Sequence, residues 1–160
     1  MDFKILEIEY VIKNGVNFND LESDLDTDRI LQPETEDEGF TGLTYELYKD
    51  GSLAYYCFYK DGEEHGEHIE FHKNGRIKSY KVKDYGAISG EYQFWDEFGN
   101  VIEQGEGSFG LKLRYTKWNS DGVMIEQKEE PSKADIEWVQ KRSKDREESL
   151  KRFEDWKSRG

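Results

Sequence analysis

The chain has 160 residues, a formal net charge of −13 and a mean hydropathy of −1.00. It contains no run of 18 apolar residues, which excludes a membrane-spanning helix, and its single cysteine excludes an internal disulfide. Aromatic side chains make up 14% of the residues, more than a disordered chain of this polarity carries, so one folded domain with a thin, aromatic-rich core is expected.

At the N-terminus, Leu6, Ile8, Tyr10 and Ile12 alternate with Glu7, Glu9 and Val11, the period of a strand with one wet face. Asn14-Gly15 is a strong hairpin turn, returning through Val16 and Phe18, so a β-hairpin is predicted over 1–18. Asp2, Lys4, Glu7 and Glu9 interrupt the apolar residues there; no secretory leader is read, and a cytoplasmic location is expected.

Residues 19–38 form an acidic connecting segment. Over residues 1–40 there are 12 acids and 3 bases, whereas residues 131–160 have 7 acids and 9 bases, so the acidity is concentrated at one end. Asp20, Glu22, Asp24, Asp26 and Asp28 alternate as calcium ligands do. An EF-hand loop starting at Asp24 requires glycine at 29 and glutamate at 35, and the chain has Arg29 and Thr35. The segment is therefore read as an acidic loop facing solvent or a basic partner.

From 39 to 130 the chain is ruled by glycines. Gly42, Gly66 and Gly90 are spaced by 24, as are Gly51, Gly75 and Gly99, with Gly122 following after 23; Gly62, Gly86 and Gly110 repeat the spacing. Apolar columns run between them: Leu47, Phe71, Trp95 and Trp118, then Leu53, Ile77, Val101 and Met124. The intervals fit a short strand and a tight turn but not a packed helix. Asp or Asn stands before the turn glycine at 50–51, 61–62, 74–75 and 121–122, as positive-φ turns favour. Each unit is predicted to be two antiparallel strands, and four units an elongated antiparallel meander about 40 Å long.

The stretch GEEHGEHIEFHKNGRIKS, with its neighbours at the same period, resembles the variant class of MORN repeats. The resemblance covers roughly 39–127. It implies a mainly β fold of stacked hairpins, and many bacterial members of that class look like antitoxins or immunity proteins that neutralise a cognate toxin. This chain departs from the pattern at Arg114, which stands where a first-column glycine is due, and at Gly39, one place out of register; both ends of the array read as capping units.

Sorted by a period of two, Leu47, Phe71 and Trp95 lie on an inner face, and Trp95 and Trp118 are expected to be buried. The opposite face carries Thr44, His68 and Tyr92, then Glu46, Glu70 and Phe94, then Tyr48, His72 and Asp96. Its aromatic pair Tyr92 and Phe94 is either tucked under a terminal element or part of a binding surface. Residues 55–59 are apolar at both parities and predict a strand covered on both faces, by the N-terminal hairpin or the C-terminal helix.

Cys57, within that strand, reads as a buried structural thiol. His65, His68 and His72 cluster in sequence, but on a strand His68 and His72 stand roughly 13 Å apart, too far to share an ion; no metal site and no cofactor are predicted. No phosphate loop, zinc spacing or nucleophile–base arrangement is present, and no enzyme is predicted.

After Pro131 a helix is predicted over 131–158, opened by Ser132 with Asp135 three residues on. Ile136, Val139, Leu150 and Phe153 form its apolar stripe, and because no apolar residue lies between Lys141 and Ser149, its ends are expected to pack and its middle to stand in solvent. The chain thus reads as a non-enzymatic binding protein, whose acidic residues Asp20, Glu22, Asp24, Asp26 and Asp28, with Tyr92 and Phe94, meet a basic protein. Net charge gives long-range attraction to such a partner and opposes nucleic acid and anionic membranes; the resemblance is what specifies a toxin domain. The alternative is a scaffold that self-associates or docks a partner through the C-terminal helix.

Overall fold

A meander of the predicted kind organises the chain in a computed structural model that describes residues 3–159. In chain order the elements are α1 (Ile8–Asn14), β1 (Val16–Asn17), a 3-10 turn (Phe18–Asp20), β2 (Gly42–Leu47), β3 (Leu53–Lys60), β4 (Glu63–Phe71), β5 (Ile77–Asp84), β6 (Ala87–Ile88), β7 (Gly90–Trp95), β8 (Val101–Ser108), β9 (Leu111–Trp118), β10 (Met124–Lys128) and α2 (Lys133–Arg159). The strands form one sheet in the order β1-β2-β3-β4-β5-β7-β8-β9-β10, with β6 pairing β5. Every pairing is antiparallel except that of β1 with β2.

The 24-residue period has a physical cause at the turns. Gly51, Gly75, Gly99 and Gly122 all take positive φ, and each donates its N–H to the carbonyl three residues earlier, at 2.9–3.1 Å. The first two turns also reach the next repeat. The Tyr48 hydroxyl donates to the Phe71 carbonyl at 2.6 Å, and the Asn74 amide to the Glu97 carbonyl at 2.7 Å. His72 Nε2 lies 3.0 Å from the Trp95 carbonyl, and Arg76 donates to the Phe98 carbonyl. These bonds span 22 or 23 residues, just short of one period, and join successive repeats.

One cross-strand row shows where the core lies. Tyr45, Tyr56, Ile69, Tyr80, Gln93, Gln104, Thr116 and Gln127 are consecutive partners from β2 to β10. The first four join a core with Val11, Leu43 and Leu53, on which Phe3, Leu6, Ile8, Leu47, Phe71 and Trp95 pack; the last four are polar. The N-terminal segment is the lid of this core. Phe3 stacks on Tyr80 with centroids 4.2 Å apart and meets Trp95 edge-on at 5.5 Å. Leu6 donates its N–H to the Tyr56 hydroxyl at 2.9 Å.

The predicted N-terminal hairpin over 1–18 is therefore corrected; its residues 1 and 2 lie outside the described part. Residues 8–14 form a helix, and Gly15 closes it by donating to the Val11 carbonyl at 2.8 Å. Helical geometry puts Ile8 and Val11 on one face, where Val11 is fully buried, while Tyr10 and Ile12 stay exposed. The alternation that resembled a strand is overridden by the apolar sheet face beneath it. Beyond Gly15 the chain runs parallel to β2 rather than back along its own path.

Strand β3 is covered on both faces, as its composition requires. Tyr56 and Leu53 face the N-terminal lid. On the other side Phe18 lies 6.5 Å from Tyr55 and 6.4 Å from Tyr59, and Phe40 lies 6.3 Å from Tyr59. The second cover thus comes from residues flanking the acidic segment. Trp95 and Trp118 are half-buried rather than buried, because the lid reaches only as far as Trp95.

Helix α2 starts as predicted: Ser132 N–H donates to Asp135 Oδ2 at 2.7 Å, and Asp135 N–H to Ser132 Oγ at 3.1 Å. Its packing reverses the expectation. The middle is held, since Arg146 pairs with Asp84 and its guanidinium lies 4.9 Å from the Phe109 ring and 5.8 Å from that of Tyr85. The C-terminal part, with Leu150, Phe153 and Trp156, is exposed. An arginine that pairs and stacks at once docks a helix face without any aliphatic residue.

A core confined to the first hairpins makes mutational cost depend on position. Ile69→Ala should lower unfolding free energy by about 2–5 kcal/mol. Met124→Ala, in an apolar column but exposed, should change it by less than about 0.5 kcal/mol in urea denaturation.

Candidate functional site

The acidic segment is an ordered layer on the sheet. Ile30 is buried, donates its N–H to the Gly62 carbonyl at 2.9 Å and accepts from Phe40 at 2.8 Å. Arg29 Nε donates to the Asp61 carbonyl at 2.8 Å. Leu31 donates to the Glu22 carbonyl at 2.8 Å, and Gln32 to that of Glu38 at 2.7 Å. The segment is thereby tied to the β3–β4 turn at its centre and folded back on itself at both ends.

At its tip, Asp24 builds a turn. Its Oδ1 accepts from the backbone N–H groups of Asp26, at 2.8 Å, and Thr27, at 3.0 Å. Those two bonds hold its carboxyl below the usual carboxylate range. Asp24 is thus a structural carboxylate, engaged by its own loop. Glu22, Asp26 and Asp28 are exposed around it, with Asp20 and Glu34, Glu36, Asp37 and Glu38 exposed further along. Leu25 projects from the same tip with 95% of its surface exposed.

The carboxylates of the repeats are placed differently. On the face away from the lid, Glu46, Tyr55, Glu70, Ser79, Phe94, Glu103, Lys117 and Glu126 form a continuous row. Glu70 accepts from the Ser79 hydroxyl and from Lys81 at 3.3 Å. Glu103 accepts from Lys112 at 2.6 Å and Tyr92 at 3.0 Å, and Glu126 from Tyr115 at 2.6 Å and Lys117 at 2.9 Å. Among the described residues no acid from Asp20 to Glu38 takes part in an ion pair. In the repeats Glu64, Glu70, Glu103, Glu106 and Glu126 are paired with bases on neighbouring strands, whereas the acids of the connecting segment have no such pairs among the described residues.

Tyr92 and Phe94 sit together, with ring centroids 5.3 Å apart, but they differ in access. Tyr92 is 0% exposed, because its ring lies across Gly105, where an added Cβ would come within 2.7 Å of the Tyr92 hydroxyl. It supports the sheet and orients Glu103. Phe94 is half-buried, flanked by Lys81 at 5.9 Å and Lys112 at 5.6 Å, and lines an open cleft of about 500 Å³ with Trp95 and Glu70. The aromatic pair and the acidic segment belong to different parts of the sheet, on β7 and beside β3.

His72 is engaged with the next repeat's carbonyl, and His65 lies 3.3 Å from Asp84. His68 stands opposite Cys57 on β3, and Glu64 lies beside both. Cys57 is 1% exposed, and burial pushes its thiol up to about 12, so at neutral pH it is a protonated core residue rather than a nucleophile. The grouping of Glu64 with His68 was not visible in sequence, since four residues of flat strand separate side chains by about 13 Å.

In its sequence the chain is similar to "Immunity protein YwqK" of Bacillus subtilis (strain 168), with 42% identity over 67 residues, 38% of this chain and 44% of that protein. The chain thus spans less than half the length of that relative. No family model matches the chain, and no solved structure does.

Burial by itself raises the Glu70 carboxyl, but the Ser79 hydroxyl and Lys81 outweigh it, leaving the group below its ordinary 4.5. Glu64 is likewise raised by burial and lowered further by His68 and Lys83. A depressed folded-state pKa contributes stability that is present above the unfolded value and lost as pH falls through the folded one. The melting temperature should therefore fall as pH drops below about 4.5, and Glu70→Gln should flatten that fall. A Glu70→Gln profile parallel to wild type would remove this ion pair from the acid transition.

Proposed function

We propose that this is a non-enzymatic immunity-type protein that neutralises a basic toxin domain by binding it, with the acidic segment from Asp20 to Glu38 making first contact. The partial likeness to an immunity protein supports the class of function. The observation that carries the basic partner is the uncompensated charge: nine carboxylates between Asp20 and Glu38 against Arg29, ordered on a rigid sheet and unpaired among the described residues. Arg29 is itself committed to the Asp61 carbonyl. Such a surface repels itself, and a basic partner offsets that cost while accelerating encounter.

In this reading the glycine-punctuated repeats are a MORN-like scaffold and the setting is cytoplasmic. Leu25, exposed amid Asp24, Asp26 and Asp28, supplies the apolar contact that desolvates on docking. Phe94, rather than buried Tyr92, is the aromatic residue available to a partner on the sheet. A second reading, a scaffold joined through α2, is favoured by the exposed Leu150, Phe153 and Trp156, the last with 70% of its surface free.

The two readings separate in binding kinetics with a basic toxin domain as the probe. Asp26→Asn with Asp28→Asn should slow association several-fold at low salt and flatten its salt dependence, leaving the melting temperature unchanged. Leu25→Ala should instead speed dissociation, by roughly tenfold or more if it is a central anchor. Wild-type kinetics in both variants, with binding lost on Phe153→Ala and Trp156→Ala, would transfer the interface to α2.

A further inference from the structure

We propose that Cys57, Glu64 and His68 form a binding site for a thiophilic divalent cation of the zinc class, bridging β3 and β4. Their donor atoms, Sγ, a carboxylate oxygen and a ring nitrogen, all lie within 4.8 Å of one another, with Glu64 Oε2 3.3 Å from His68 Nδ1. Thiolate, imidazole and carboxylate are the donors zinc takes in three-ligand sites that leave a fourth position open.

The geometry has a specific origin. Cys57 pairs with His68 and Tyr59 with Glu64, so β4 uses four residues where β3 uses two. Gly66, at φ +112°, sits in the resulting bulge, and an added Cβ there would press to 3.2 Å on Phe58 Cβ. The bulge folds Glu64 back beside His68. The first ligands are also held by their neighbours: Tyr55 stacks on the His68 ring at 5.6 Å, and the Thr44 hydroxyl lies 3.2 Å from Cys57 Sγ.

Charge is consistent with a dication and with competition for the place. A thiolate and a carboxylate neutralise two positive charges. Lys83 Nζ, 3.7 Å from Glu64 Oε2, already supplies one positive charge there. An incoming ion displaces that ammonium toward solvent and displaces the thiol proton of Cys57, so affinity rises with pH. Because Tyr55 also contacts Phe18, the ion would bear on the strand that seats the acidic segment.

The test uses Co²⁺ on the full, untagged chain after chelator treatment. One equivalent should produce thiolate-to-cobalt charge-transfer absorption, abolished by Zn²⁺ and absent in Cys57→Ser. Glu64→Gln and His68→Gln should weaken binding, Lys83→Ala should tighten it several-fold, and His72→Gln should leave it unchanged. Absence of the charge-transfer absorption in wild type overturns the proposal even if Cys57→Ser fails to fold. So does absorption that persists in a folded Cys57→Ser, or Co²⁺ affinity that Lys83→Ala leaves unchanged.

Discussion

The bond from Leu6 N–H to the Tyr56 hydroxyl marks the constraint under which this structure stands: a single sheet has no second layer, so its core exists only where something lies on it. The N-terminal segment lies on β2 to β5 and reaches Trp95. Under it the central row is Tyr45, Tyr56, Ile69 and Tyr80; past it the same row continues as Gln93, Gln104, Thr116 and Gln127. Burying one large apolar side chain contributes about 1.5–3 kcal/mol, whereas an exposed ion pair contributes about 0.2–1 kcal/mol. The later hairpins, where Tyr92 is the one fully buried large side chain among the described residues and the Glu126–Lys117 pair is exposed, therefore hold less buried apolar surface than the first. Fraying should begin at β10, where Met124 and Ile125 are already exposed, as is Val123 just before them.

What was legible in the sequence follows from which features are set by the backbone alone. The meander could be read because each turn needs a glycine at a fixed offset, and because facing side chains alternate with a period of two. The helix start at Ser132 could be read because its two reciprocal bonds are local. The N-terminal helix could not: seven residues of mixed pattern fit either period, and an apolar surface forty residues downstream decided between them. The middle of α2 failed for a related reason. Arg146 looked like solvated charge and is instead the docking residue, since its partners Asp84, Tyr85 and Phe109 come from two distant turns.

The candidate surfaces were legible in the same partial way. Local composition showed an acidic segment but not that Asp24 is consumed in shaping its tip. The face assignment paired Tyr92 with Phe94 correctly but gave no sign that Tyr92 would be sealed. That burial depends on Gly105 across the strand, where a missing side chain leaves a floor for the ring. Bulges are harder still. The extra residues of β4 around Gly66 exist only relative to β3, so the meeting of Glu64, His68 and Cys57 is a property of a pair of strands and of neither alone.

These placements give the acidic segment a particular physical character. A flexible acidic tail would have to lose conformational entropy on meeting a partner; this one is already tied down by Ile30 and by the bonds of Arg29 to Asp61. With its backbone held, on the proposed reading it would complement fewer arrangements of basic groups and penalise the others more. Fixed charge speeds encounter but resists desolvation, so carboxylates alone make a surface that is found quickly and left quickly. On the proposed reading Leu25 changes that balance: an apolar side chain ringed by acids at the tip of the turn would gain by burial what its neighbours cannot, and would convert attraction into residence.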